Sequence, residues 1–209
     1  MAEPQIPTET PFWRFSLDFY RLAGVADACI ALQDGSGVDV NLLLFLFWLA
    51  SRGLQLSAED VKGLDAKVRD WRNLTIIPIR DLRRKLKGAA TLVAPARQED
   101  FRSKVKAVEL EAERLQQQAL YEVCQSGPLG TQAAPTAAAG ANVAVYERVL
   151  GLSFPKQAVD VLIGAFDGIA LQGGRNRDLP GIDVCPLLSL PASGRGMGWR
   201  RARPGQARP

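Results

Sequence analysis

Asp39-Val40-Asn41-Leu42-Leu43-Leu44-Phe45-Leu46-Phe47-Trp48-Leu49-Ala50 reads as a helix start followed by about two and a half turns with no polar face. A helix apolar all round needs neighbours on every side, so it belongs at the centre of a helical domain or in a subunit interface. Asp39 supplies the cap, its carboxylate in reach of the free amides of Asn41 or Leu42, and Gly53 closes the helix after Arg52. The apolar run Leu42 to Ala50 is nine residues long, against the ~18 to 20 needed to span a bilayer.

The flanking sequence offers faces to surround this rod. Thr10-Pro11 opens a helix in which Phe12, Phe15, Phe19 and Leu22 form one stripe, and Gly24 ends it. A short helix from Val25 to Gln33 follows, closed by the turn Asp34-Gly35-Ser36-Gly37. Ser57-Ala58-Glu59-Asp60 caps the next helix, whose buried stripe is Val61, Leu64, Val68 and Trp71. Pro78 imposes a kink or a new start, after which Ile79, Leu82 and Leu86 are expected to face inward and Arg80, Arg83, Arg84 and Lys87 outward. Glu99 to Cys124 reads as a long polar helix with a thin seam of Val105, Val108, Leu115 and Tyr121. Two shorter helices are expected over Asn142 to Leu150 and Pro155 to Phe166. No strand-like alternation of any length is visible.

The expected fold is therefore all-α: a compact bundle of about six or seven helices around the central apolar one. Its domain spans residues 11–170, after a flexible N-terminus over 1–10 and with an alanine- and proline-rich flexible insert at 126–141. Glycine, arginine, proline and alanine make up 22 of the last 37 residues, so a disordered tail is expected over 171–209.

Composition excludes several chemistries. Histidine is absent, which removes the commonest general base and the usual catalytic zinc ligands. The three cysteines, Cys29, Cys124 and Cys185, form no close pair, so neither a disulfide framework nor a metal site is expected, and a reducing cytoplasm fits best. The N-terminal residues carry no signal-peptide pattern. The net charge of +4 comes from the tail, where seven arginines face two aspartates; the remainder is close to neutral. No P-loop or dinucleotide fingerprint occurs, and no cofactor is expected.

Three groups are candidates for function. Arg80, Arg83, Arg84, Lys85 and Lys87, with Arg69 and Arg72 nearby, suit phosphate or an acidic partner, although a solvated helix face is the plainer reading. Nucleic acid is not expected, since no recognised module accompanies these charges. Asp39 and Asn41 stand at a buried helix N-terminus, as a ligand site or as an ordinary cap, and Gln33 and Asp34 are placed to join either arrangement. The aromatic set Trp13, Trp48 and Trp71 with Phe12, Phe15, Phe19, Phe45 and Phe47 is a core or the lining of an apolar pocket.

The segments Phe12-Trp13-Arg14-Phe15-Ser16-Leu17, Gly24-Val25 to Gln33-Asp34 and Gly37-Val38-Asp39-Val40-Asn41-Leu42-Leu43-Leu44-Phe45 resemble a proteobacterial family of small proteins of unknown function. Trp71-Arg72, Pro78-Ile79-Arg80, Arg83-Arg84 and Glu109 to Arg114 extend the likeness over roughly residues 11 to 170. The resemblance implies a bacterial cytoplasmic helical protein and assigns no reaction. The insert and the arginine-rich tail depart from the family pattern.

Two functions follow as expectations. The first is a non-enzymatic interaction or regulatory module, with a protein partner or a homodimer, using apolar surface from the first three helices or the basic face. The second is a binder of, or enzyme on, a small apolar or anionic ligand, with Asp39, Asn41, Trp71, Arg72 and Arg80 around one cavity.

Overall fold

A computed structural model describes residues 10–88 and 93–173. The helices are α1 (Pro11–Tyr20), α2 (Val25–Ser36), α3 (Val40–Ser51), α4 (Ala58–Trp71), α5 (Ile77–Lys85), α6 (Pro95–Gln125), α7 (Pro135–Leu150) and α8 (Lys156–Gly173). A π-helical segment, Arg72–Ile76, joins α4 to α5 without a break. With α4 and α5 counted as one interrupted rod, the described residues form seven helices, the all-α bundle expected.

α3 is the central post. Every residue from Asn41 to Ala50 is buried. It packs against α7, α6, α1 and α2, so each side of the apolar rod meets another helix. Aromatic rings knit the seam: Phe12 meets Phe45 edge-on at 4.9 Å between centroids, Phe19 meets Phe47 at 5.1 Å, and Phe47 meets Phe166 of α8 at 5.5 Å. Offset and edge-on rings at these spacings add to simple burial.

The helix ends follow local chemistry. Thr10 Oγ1 accepts from the Trp13 amide at 3.0 Å, and Ser57 and Asp60 form a reciprocal capping box. Gly24 and Gly37 flank α2 in the left-handed region. α2 runs through Ser36, so the turn expected at Asp34 to Gly37 is its last helical turn, stopped at Gly37.

A second departure concerns Ser126 to Ala141. Rather than a flexible insert, its second half is the start of α7, and Ala138 and Ala139 are buried against the core. Alanine is the best helix former and the smallest side chain that allows close helix approach, so the composition that suggested a linker builds a tight contact. Thr131–Gln132 pairs antiparallel with Leu54–Gln55, a short strand pair joining this segment to the loop after α3. Gly130 has a positive φ of 63° and lies so close to the Gln55 carbonyl that a Cβ would come within 2.5 Å of it. The expected tail lies outside the described residues beyond Gly173, as does the N-terminus before Thr10.

Asn142 of α7 completes the arrangement. Fully buried, its Oδ1 accepts from the Leu56 amide at 2.7 Å, while Nδ2 donates to the carbonyls of Leu54 at 3.0 Å and Leu46 at 3.2 Å. One amide thereby ties α7 to the middle of α3 and to its exit.

Phe45→Ala should cost about 3 to 5 kcal/mol, because the truncation leaves a cavity between α1 and α3 that the close-packed rings cannot fill. Urea denaturation followed by circular dichroism measures it.

Candidate functional site

Asp39 sits at the meeting point of four helices. Its Oδ1 accepts from the amides of Asn41 at 3.0 Å and Leu42 at 3.3 Å, capping α3. Its Oδ2 accepts from Arg72 Nη1 at 2.9 Å and from Gln116 Nε2 of α6 at 2.6 Å. Its own amide donates to the Tyr146 hydroxyl of α7 at 3.2 Å. Arg72 Nη1 also donates to Asp65 Oδ1 at 2.9 Å, and Arg69 holds the other Asp65 oxygen at 2.7 Å. Arg72 is the first residue of the π segment, whose extra residue per turn re-aims the side chains that follow α4.

Burial alone would raise the Asp65 carboxyl, but hydrogen bonds from Arg69 and Arg72 outweigh it and hold the group below the usual carboxylate range. Burial pushes the Tyr146 phenol well above its ordinary value, with the Asp39 charge adding to the effect, so it stays neutral.

Two residues of the basic face point the other way from expectation, while Arg84 and Lys87 stay exposed. Arg80 and Arg83 turn inward onto α6: Arg80 Nε meets Glu109 Oε1 at 3.0 Å, Arg80 Nη2 meets Glu113 Oε1 at 2.6 Å, and Arg83 Nε bonds Glu109 Oε2. Leu82, expected inside, is exposed, as are Leu74 and Ile77. The reason lies on α6, which buries Glu109, Gln116 and Gln117 toward the domain and exposes Val108 and Leu115 of its expected seam. A buried carboxylate needs cations, and the arginines of α5 supply them. At Glu109, burial is opposed and overcome by Arg83 and Arg80, leaving the carboxyl lowered. At Glu113 burial prevails over Arg80 and the carboxyl is raised.

Between these helices lies an open cleft of about 680 Å³. One wall is apolar, from Trp13, Leu17 and Tyr20 of α1, Ile30 of α2 and Leu44 of α3. The other is charged, from Arg80, Arg83, Arg84 and Lys87 on the α5 side and Lys106, Glu109 and Glu113 on α6. Arg84 reaches across to Asp34 of α2, lowering that carboxyl through its hydrogen bond. This ion pair borders a second cavity of about 190 Å³, lined in part by Asp39, Asn41, Arg72 and Arg80. Gln117 also lines the main cleft; its Nε2 donates to Asn41 Oδ1 at 2.8 Å, while its buried Oε1 has no partner among the described residues.

Of the residues singled out from the sequence, Asn41, Arg80, Arg83, Arg84 and Lys87 thus share the main cleft, and Asp39 and Arg72 share the smaller one. Trp71 lines neither. It is partly exposed, and its Nε1 donates to the Ala112 carbonyl at 3.0 Å. Glu109, Glu113, Gln116, Gln117, Asp65 and Tyr146 were not singled out. A helix carrying three buried polar side chains on one face gives no hydrophobic signal; only the long run of charge on α5 hinted that acceptors were needed.

The family described as protein of unknown function (DUF2390) matches residues 11–120. The chain belongs to this family. Every residue named in the main cleft lies within the DUF2390 segment, whereas Tyr146 and Asn142 lie beyond it. The match stops short of the residue 170 reached by the resemblance. No curated protein and no solved structure matches the chain. No helix among the described residues is long and apolar enough to cross a membrane.

Arg72→Met should cost about 3 to 5 kcal/mol at neutral pH, because it leaves the buried Asp39 charge without its cation. Asp65 adds a pH signature. A carboxyl held low in the folded state stabilises above its unfolded pKa, near 3.8, and that contribution is lost as pH falls through the folded value. Thermal melts from pH 6 to 2 should therefore show wild-type stability falling below about pH 4 and a shallower fall in Arg72→Met.

Proposed function

We propose that this DUF2390 protein is a non-enzymatic binding protein whose cleft between α1 and α5–α6 takes a small amphipathic anion. The observation that carries this reading is the segregation of the cleft: aromatic and aliphatic side chains on one wall, and on the other five cations against the carboxylates Glu109 and Glu113. A volume of about 680 Å³ falls within the range of small-molecule sites. The apolar body would lie along Trp13, Leu17, Tyr20 and Ile30. Its anionic end would meet Lys87 and Lys106, which make no ion pair among the described residues.

The non-enzymatic part rests on how the cleft's acids are used. Asp34, Glu109 and Glu113 are each engaged by an arginine, so the cleft's carboxylates are committed to ion pairs. A reducing cytoplasmic setting is consistent with two buried cysteines, Cys29 and Cys124, the former with its thiol pushed up by burial to about 12. The inward turn of Arg80 and Arg83 also speaks against nucleic acid, whose phosphates are tracked by exposed cations.

The interaction surfaces expected from the sequence fare less well. The apolar surface of α3 is consumed by the core, and two arginines of the basic face are spent on α6.

Titration with decanoate should change Trp13 fluorescence saturably, with Trp13→Phe as the control for the emitting residue. Lys87→Glu with Lys106→Glu should weaken binding roughly tenfold or more, about 1.4 kcal/mol. Decanol, with the same chain and no charge, should bind more weakly than decanoate. Equal binding of the two, or no saturation, overturns the proposal.

A further inference from the structure

α6 carries a second surface on the side turned from the cleft. Phe101, Val108 and Leu115 are spaced seven residues apart and stand 52%, 57% and 39% exposed. Residues seven apart recur on nearly the same face of a helix, so these three form one apolar stripe, about 21 Å long at 1.5 Å per residue. The neighbouring rod widens it. Trp71 is fixed beside the stripe by its bond to the Ala112 carbonyl. Leu82 lies two residues from both Arg80 and Arg84, about 200° around α5 from the side that faces the cleft. Among the described residues no element covers this face.

Charge identifies the occupant. Lys104 lies between Phe101 and Val108, and Glu111 lies at the corresponding position between Val108 and Leu115. Both are exposed. Glu111 bonds Arg114 one turn on, and Lys104 makes no ion pair among the described residues. Turning a second α6 about an axis through Val108 sets it antiparallel to the first. Phe101 then meets Leu115 of the partner subunit, Val108 meets its own copy, and Lys104 approaches Glu111 of the partner subunit. The stripe is self-complementary in sign, which a two-fold interface requires.

We infer that the protein forms a two-fold homodimer through antiparallel contact of α6 along Phe101, Val108 and Leu115, flanked by reciprocal Lys104–Glu111 pairs. The surface is separate from the ligand cleft, so either proposal stands without the other.

Sedimentation velocity of the full chain at tens of micromolar should show a dimer. Val108→Asp should yield a monomer with unchanged helical circular dichroism, since the side chain is exposed in one subunit. Lys104→Glu sets two like-charged pairs across the interface and should raise the dimer dissociation constant roughly tenfold. Adding Glu111→Lys should restore it to within about threefold, because the reversed pairs attract again. A monomeric wild type, a dimer unaffected by Val108→Asp, or a double reversal as weak as the single one overturns the inference.

Discussion

A helix with no polar face dictates the shape of this protein. α3 cannot lie on a surface, so a shell of helices must close around it, and every other element takes its place from that requirement. Burying the rod also buries its first turn, where the free amides need acceptors. Asp39 meets that need and creates a new one, a buried negative charge. Arg72, Gln116 and the Asn41–Gln117 bond are the response, and they draw α6 and the π segment onto the N-terminal end of α3.

The same logic explains why α6 is turned with polar side chains inward. Its Glu109 and Gln116 serve the arginines and the carboxylate that the α3 end and α5 bring to the interior. An apolar helix at the centre thus forces polar pairing around one end of it. Two consequences follow at the surface. A cleft opens where the charged wall of α5 and α6 faces the aromatic wall of α1, and apolar side chains that would ordinarily point inward are left on the outer side of α6.

Much of the frame was legible in the sequence. The uninterrupted run after Asp39 left two places for its helix, the centre of a domain or a subunit interface, and the structure takes the first; Thr10, Ser57 and Gly53 mark helix ends through chemistry that acts within a turn. The caps concern neighbours in sequence, so a single chain displays them. The orientation of α5 and α6 was not legible for the opposite reason. Hydrophobic periodicity assigns Leu82 to the inside and Arg80 to water, and it holds only while charges stay solvated. Glu109 and Glu113 sit on another helix, and nothing local links them to Arg80 and Arg83. The alanine-rich start of α7 escapes a sequence reading for a related reason: small side chains give no period, yet Ala138 and Ala139 are what let α7 approach the core. The cleft was partly visible, through Asn41, Arg80, Arg83, Arg84 and Lys87, although its aromatic wall was read only as core or pocket.

The central claim is that α3 is the post on which the domain's cooperativity rests. Native-state hydrogen exchange measures this residue by residue. The amides of Leu44 to Ala50 should exchange only through global unfolding, matching the free energy from chemical denaturation, while α6 and α8 open at lower cost. Exchange of the α3 amides through a cheaper, partial opening, with α6 or α8 better protected, would contradict the account.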